Sequence, residues 1–203
     1  MGGRPAKVKL PLSPGTAPPC GRKQFGRTGA FRRQIANTVP TAEGAIQIAM
    51  EELATTIFGL KVLVIGYGRI SKVLSRLLHS MGARVTVAAR KFSDLAWIEA
   101  SGYIPAHTND LGKAIEGSQL IINTAPAAIL NEELLKRVQK GCLLIDLASK
   151  PGGIDFSTAN RLGLKAIWAL SLPGKVAPIS AGKIIFDTMQ NIERERRGGY
   201  GQN

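Results

Sequence analysis

The stretch Lys61-Val-Leu-Val-Ile-Gly-Tyr-Gly-Arg-Ile-Ser71 decides the fold. Its apolar, β-branched run ends at Gly66, and the segment from Ile70 to His79 has apolar residues at helical spacing. This order predicts a strand, a tight glycine turn and a helix. The run from Arg84 to Ala89 predicts a second strand and completes a βαβ unit, which implies a parallel sheet.

The alternation of strands and helices continues along the chain. We predict strands over residues 61–65, 84–89, 103–105, 119–123, 142–146 and 165–168. Helices are predicted over 42–57, 70–79, 93–101, 108–116, 132–138, 155–162 and 180–196. Six strands alternating with helices predict a Rossmann-type, doubly wound α/β fold, with strand order 3-2-1-4-5-6 and helices on both faces of the sheet. Functional residues are then expected at the carboxyl ends of the strands.

The glycine turn after the first strand stands where a dinucleotide-binding fingerprint stands. Gly66 permits the tight turn, and Gly68 lets the backbone approach a pyrophosphate at the N-terminus of the next helix. Ser71 replaces the usual third glycine, and its hydroxyl could also donate to a phosphate. The predicted phosphate-binding residues are Gly66, Gly68, Arg69, Ile70 and Ser71. The alternative is a turn that only joins strand to helix.

The end of the second strand bears on the choice of cofactor. NAD-specific enzymes usually have an acidic residue there, which binds the ribose 2′-hydroxyl. Here Arg90 and Lys91 follow Ala89 instead, and an arginine can bind a 2′-phosphate through two hydrogen bonds. We therefore predict NADP(H) as the cofactor, in preference to NAD(H). An ordinary solvated cation is the alternative.

The ends of the fourth and fifth strands supply the other candidates. The predicted cofactor contacts there are Thr124, Ala125, Pro126 and Asp146, since the nicotinamide ribose lies at this edge in Rossmann enzymes. The predicted substrate-binding residues are Ser149, Lys150, Pro151, Gly152 and Gly153. Lys150 could pair with a substrate carboxylate, and the two glycines could offer backbone N–H groups. The alternative is a pair of strand-end turns with a structural aspartate.

Charge is concentrated at one end of the 203-residue chain, whose formal net charge is +13. Residues 1–40 contain eight basic residues, six of the eleven prolines and no acidic residue. We predict a disordered basic tail over 1–36, an NAD(P)-binding domain with flanking helices over 37–197 and a second disordered tail over 198–203. A solvated tail is favoured over a nucleic-acid-binding or partner-binding arm.

Several protein classes are disfavoured. No stretch approaches the about 18 consecutive apolar residues of a membrane span, and we expect no signal peptide, so a cytoplasmic location is expected. Cys20 and Cys142 lie too far apart in sequence to indicate a disulfide framework or a metal motif, and no metal site is predicted. His79 and His107 are predicted on the surface without a nearby carboxylate. Catalytic residues are therefore not assigned, and the hydroxyacid dehydrogenase reaction is disfavoured.

Further stretches resemble a known family. They are Asn37-Thr-Val-Pro-Thr-Ala-Glu-Gly44, Gly66-Tyr-Gly-Arg69, Ala89-Arg90, Ile122-Asn-Thr-Ala-Pro126, Asp146-Leu-Ala-Ser-Lys-Pro-Gly-Gly153 and Leu172-Pro-Gly-Lys-Val-Ala-Pro178. In these stretches the chain resembles the A-subunit family of dipicolinate synthase over about residues 37–197. The stretch that begins at Asp146 is far more discriminating than the glycine turn, which many dehydrogenases share.

The resemblance implies an activity and partners. It implies a cofactor domain like that of 2-hydroxyacid dehydrogenases, which works with a flavoprotein-like B subunit to oxidise dihydrodipicolinate, a small dicarboxylate, to dipicolinate in sporulation. It adds Pro173 and Gly174 to the predicted substrate-binding residues, and it implies a lysine where this chain has Ile179.

The same resemblance leaves alternatives open. We expect the family's N-terminal domain to be missing from this chain. A non-catalytic cofactor-binding or assembly module, or another NAD(P)-dependent dehydrogenase of this fold, is then the alternative function. A homo-oligomer is expected through the apolar face of helix 42–57, which something must cover.

Overall fold

The structure is a computed structural model that describes residues 33–198, apart from the side chains of residues 195 and 196. The predicted tails therefore lie mostly outside the described residues. Two parts of the predicted tails are described in the structure. Residues 33–36 are helical, and Gly198 belongs to the last helix.

Six parallel strands form one sheet. They are β1 Lys61–Ile65, β2 Arg84–Ala89, β3 Ile104–His107, β4 Leu120–Asn123, β5 Leu143–Asp146 and β6 Lys165–Trp168. Their order, β3-β2-β1-β4-β5-β6, confirms the predicted topology. The register pairs Ile65 with Ala88 and with Asn123, and Asn123 with Asp146. The carboxyl ends of the four central strands are thus level with one another.

Besides the helical residues 33–36, eight helices alternate with or flank these strands in the described part of the chain. They are α1 Thr38–Glu52, α2 Arg69–Ser80, α3 Phe92–Ala100, α4 Leu111–Ile115, α5 Glu132–Leu135, α6 Phe156–Arg161, α7 Leu172–Val176 and α8 Pro178–Gly198. A 3-10 turn, Thr108–Asp110, precedes α4.

Helices cover both faces of the sheet, as predicted. Successive side chains of a strand point to opposite faces, so Val62 and Val64 belong to one apolar cluster while Leu63 and Ile65 belong to the other. The first cluster includes buried residues of α1, α2, α3 and α7, and the second includes those of α4, α5 and α6. The central strands are thus buried on both sides, which explains their almost uniformly apolar sequences.

Several helix bounds differ from the prediction. Helix α1 ends at Glu52 because Leu53 is already extended, with φ −98° and ψ 135°. The segments predicted as helices over 108–116 and 132–138 are shorter, since the first begins as a 3-10 turn and the second is helical only to Leu135. Helix α7 was not predicted, because Pro173 and Gly174 indicate a loop. Proline is tolerated in the first turn of a helix, where its missing N–H has no intrahelical partner to lose.

The apolar face of α1 is covered within the chain. Ala42, Ala45 and Ala49 are fully buried, and α1 packs against α2 and α7. At Gly44, an added Cβ would lie 2.9 Å from Val176 Cγ2 of α7. This face is thus occupied and does not support the expected homo-oligomer. Among the described residues, no helix combines the length and the apolar character that a bilayer span requires.

Candidate dinucleotide-binding site

A cavity of about 740 Å³ opens at the carboxyl ends of β1, β2 and β4. Seven of the predicted cofactor-binding residues line it, namely Gly66, Gly68, Arg90, Lys91, Thr124, Ala125 and Pro126. Apolar side chains such as Leu111, Ile129 and Leu134 form much of the remaining wall. An apolar cleft with a few convergent polar groups at this edge of an α/β sheet is typical of a nucleotide site.

The turn at Gly66 requires glycine. Its φ is +99°, which residues that have a side chain rarely adopt. An added Cβ would also lie 2.7 Å from Thr124 Oγ1. The Thr124 hydroxyl donates to the Ile65 carbonyl (2.8 Å), while the Gly66 N–H donates to Ala88 (2.9 Å). The turn is therefore bound to the ends of both neighbouring strands.

The N-terminus of α2 is open to an anion. Gly68 is its N-cap residue and provides no side-chain cap. Within residues 33–198, no atom beyond Gly68 and its two chain neighbours lies within 4 Å of the position that its Cβ would occupy. The first N–H groups of a helix have no intrahelical acceptor, and the helix dipole favours a negative charge there. This end of α2 therefore suits a pyrophosphate.

Three predicted phosphate-binding residues have other contacts. Ser71 is fully buried, and its hydroxyl donates to the Gly66 carbonyl at 2.6 Å. It therefore stabilises the turn and is not available to donate to a phosphate, contrary to that prediction. The Arg69 guanidinium donates to Gln34 Oε1 (2.9 Å), and Ile70 packs against the apolar core. Neither Arg69 nor Ile70 lines the cavity.

The end of β2 brings three charged side chains to the cavity. Arg90 and Lys91 are exposed and lie between the end of β2 and the start of α3. Asp94, in the first turn of α3, also lines the cavity. Asp94 was not predicted as a site residue, because an acidic residue in a first helical turn is common for reasons of helix stability alone.

Asp146 has a structural role at the end of β5. It is fully buried, and its carboxylate accepts four hydrogen bonds. The donors are Asn123 Nδ2 (2.8 Å) and the backbone N–H groups of Ala148 (3.0 Å), Gly153 (2.7 Å) and Ile154 (3.2 Å). Asp146 does not line the cavity, so the structure favours the structural alternative over a cofactor contact. Its carboxylate binds the loop after β5 to the end of β4.

The loop after β5 is largely closed on itself. The Gly152 N–H donates to the Ser149 carbonyl (2.9 Å) and the Gly153 N–H donates to Asp146 (2.7 Å), so neither is free to bind a substrate as predicted. Ser149, Lys150 and Pro151 are exposed. Pro173 and Gly174 lie in α7 and do not line the cavity. Of the predicted substrate-binding residues, Ser149 and Lys150 have side chains that could reach a ligand.

The surroundings of the other reactive side chains limit their chemistry. Cys142 is buried, and burial raises the pKa of its thiol to about 12, so it is not a nucleophile. Within residues 33–198, no three His, Cys, Asp or Glu side chains are placed to hold a metal ion. His107 was predicted on the surface but is half-buried and hydrogen-bonded beside Arg90.

Comparison with known proteins assigns the site to a family. Residues 29–150 match the NAD-binding domain of D-isomer specific 2-hydroxyacid dehydrogenases. The chain belongs to this family. The match indicates a nicotinamide cofactor, and the protein is oxidoreductase-like.

The predicted resemblance to the A subunit of dipicolinate synthase is confirmed. The chain is 39% identical to that protein of Bacillus subtilis (strain 168) over 168 residues, which is 83% of this chain and 57% of the relative. A crystal structure of the Bacillus subtilis protein matches with a TM-score of 0.81 and 38% identity, over 82% of this chain and 56% of that one. The crystal structure of its Bacillus halodurans counterpart matches with a TM-score of 0.78 and 38% identity, over 79% and 55%. The chain thus spans a little over half the length of these relatives.

Proposed function

We propose that this chain is the NADP(H)-binding part of a dipicolinate synthase A subunit; in this role it contributes to the oxidation of dihydrodipicolinate to dipicolinate in sporulation. The similarity to the dipicolinate synthase of Bacillus subtilis supports the enzyme class. The pair Arg90 and Lys91 at the end of β2 supports the choice of NADP(H) over NAD(H) and is the observation on which the proposal rests.

The residues of the cavity fit such a cofactor. The pyrophosphate would lie on the Gly66 turn and the open end of α2, where the backbone can approach closely. The 2′-phosphate would lie beside Arg90 and Lys91, which provide charge-assisted hydrogen bonds. The nicotinamide would lie towards Thr124 and Pro126, at the end of β4. When bound, the cofactor supplies hydride transfer chemistry.

The substrate and the partner follow from the same proposal. Lys150 would attract a carboxylate of the substrate, because its exposed ammonium lies in the loop after β5, at the carboxyl edge of the sheet. A flavoprotein-like B subunit would complete the enzyme, and a second copy of the chain, bound through a surface other than the covered face of α1, is a further candidate partner. We place the protein in the cytoplasm, since its buried Cys142 is a free thiol, as is usual in reducing compartments.

Calorimetric titration with NADPH and NADH tests the choice of cofactor. Wild type is expected to bind NADPH more tightly, and Arg90→Ala should weaken NADPH binding by about 1.5–3 kcal/mol while changing NADH binding little. Arg84→Ala is the matched control, because Arg84 is also exposed but begins β2 at the opposite end of the strand. Equal or tighter binding of NADH by the wild type would refute the proposed preference.

An activity measurement distinguishes the proposed enzyme from a non-catalytic cofactor module. Enzymatically generated dihydrodipicolinate is supplied to the chain with and without a B subunit, and dipicolinate formation is followed. Formation that requires this chain supports the proposal. Tight NADPH binding without dipicolinate formation in either mixture would favour the cofactor-binding module instead.

A further inference from the structure

His107 lies next to the residue on which the proposed cofactor preference rests. It is the last residue of β3, and the parallel register pairs it with Ala89, the last residue of β2. Its side chain reaches past Ala89, so that its Nε2 lies 3.0 Å from the carbonyl oxygen of Arg90. The backbone of Arg90 is thereby held just beyond the end of the strand ladder.

The second ring nitrogen determines which proton His107 carries. The Asn109 backbone N–H donates to Nδ1 at 3.2 Å, so Nδ1 must present its lone pair. The proton of the neutral ring then resides on Nε2, and Nε2 donates to the Arg90 carbonyl. The ring is also stacked on Phe92, with centroids 5.6 Å apart and planes inclined by 22°. Its orientation is thus set by a hydrogen bond at each nitrogen and by one aromatic contact.

These contacts matter because Arg90 has few others within the described residues. Its side chain is exposed, and its residue forms a bend between β2 and the N-cap of α3. A backbone that is free to rotate at this bend would spread the guanidinium over many positions, and each position lost on binding costs conformational entropy. The bond from His107 removes part of that freedom before the ligand arrives.

We propose that His107 is a positioning residue for cofactor specificity, which holds the Arg90 backbone so that the guanidinium faces the 2′-phosphate of NADP(H). This inference rests on the proposed NADP(H) preference. His107 does not line the nucleotide cavity, so its effect is exerted through Arg90 and not through contact with the ligand.

Two conservative variants separate the two hydrogen bonds. His107→Gln places an amide N–H as many bonds from Cβ as Nε2 and so retains the donor to Arg90. His107→Asn retains an acceptor near Nδ1 but cannot reach the Arg90 carbonyl. His107→Phe keeps the aromatic contact with Phe92 and loses both bonds. His79→Asn is the control, because His79 is an exposed histidine at the end of α2, away from the cavity.

The ratio of NADPH to NADH affinity, measured by calorimetry, is the readout. His107→Asn and His107→Phe should each lower this ratio by about fivefold, the usual effect of one lost hydrogen bond. His107→Gln should restore it to within about twofold of wild type, and His79→Asn should leave it unchanged. In an Arg90→Ala background, none of the His107 substitutions should lower the ratio further.

Each other result overturns the inference. If both cofactors weaken equally in His107→Asn and His107→Phe, the role of His107 is only structural. If the ratio falls equally in His107→Gln, or falls further in the Arg90→Ala background, His107 does not act through Arg90. Failure of the proposed function is distinguished separately, since Arg90→Ala alone would then leave the ratio unchanged.

Discussion

Asp94 places a negative charge near the two cations beside which we propose that the 2′-phosphate lies. Asp94 lines the same cavity as Arg90 and Lys91, and a negative charge there repels a phosphate. We expect Asp94→Asn to tighten NADPH binding by about 0.5 kcal/mol, the interaction of two charges about 8 Å apart in water, and to leave NADH binding nearly unchanged. Titration at low and high salt measures this, because screening should reduce the gain. Weaker NADPH binding in the variant would contradict the assignment.

Asp146 contributes to stability through hydrogen bonds that an amide cannot reproduce. A carboxylate accepts at both oxygens, whereas Asp146→Asn would direct an N–H₂ group at two of its four donors. The expected loss is about 2–3 kcal/mol of unfolding free energy, measured by urea denaturation.

Asp155→Asn is the control for this measurement. Asp155 is an exposed N-cap of α6 whose carboxylate accepts from the Thr158 N–H at 3.1 Å. Asparagine caps a helix about as well as aspartate, so the loss there should be only about 0.3 kcal/mol. Equal losses in the two variants would mean that the bonds of Asp146 contribute little.

At the scale of elements, the loops after β4 and β5 pack closely against each other. The Gly153 carbonyl accepts from Ile129 (3.1 Å) and Leu130 (2.9 Å), and a short parallel bridge joins Leu130 to Ile154. An added Cβ at Gly153 would lie 2.8 Å from the Ala127 carbonyl and would overlap the Asn123 amide. No rotamer change relieves the contact with the backbone oxygen.

Gly153→Ala should therefore separate these two loops. We expect a loss of about 1–3 kcal/mol of unfolding free energy, together with weaker binding of both cofactors, since Thr124 to Ala127 line the cavity. Gly174→Ala is the matched control. It adds the same methyl group in α7, where no atom of the described residues, apart from its chain neighbours and the backbone of the helix itself, lies within 4 Å. Alanine is also more favourable than glycine inside a helix by about 1 kcal/mol. A Gly153→Ala protein as stable as wild type would contradict the packing argument.

The elements also show what the sequence could and could not predict. Strand positions followed from runs such as Leu120–Asn123, because strands buried on both faces have almost no polar residues. The strand order followed from the alternation of six strands with helices. Helix α7 was missed because Pro173 and Gly174 are common in loops. Seven of the cofactor-binding residues predicted from glycine turns and strand ends line one cavity, since parallel strands bring their carboxyl ends together.

The partners of buried polar groups could not be predicted from sequence. The motif that begins at Asp146 combines an acid, a cation and glycines, which is equally typical of a binding loop and of a structural one. Only the tertiary structure shows that Asp146 accepts from Asn123, which lies 23 positions away. The same limit applies to His107, whose partner Arg90 lies 17 positions away on the neighbouring strand end.

At the scale of the whole molecule, the thiol of Cys142 reports unfolding. It lies in the buried cluster on one face of the sheet, and burial raises its pKa to about 12, so the reactive thiolate is scarce at any lower pH. In a Cys20→Ser protein at pH 8, we expect Ellman's reagent to label Cys142 only as fast as the molecule opens. NADPH should slow this labelling in proportion to its occupancy, because it stabilises the folded state. Rapid labelling of the native protein would contradict the burial.

The contact among Asn123, Asp146 and Gly153 has a consequence for how this family diverges. Asp146 accepts hydrogen bonds from both Asn123 and Gly153, and a side chain at Gly153 would overlap the Asn123 amide. The effect of a substitution at one of these positions on stability therefore depends on the residues at the other two. Among related sequences, these three positions are expected to change together or to remain the same. Ser149, Lys150 and Pro151 are exposed in the same loop and are free of that constraint, so these three positions are expected to vary independently of it.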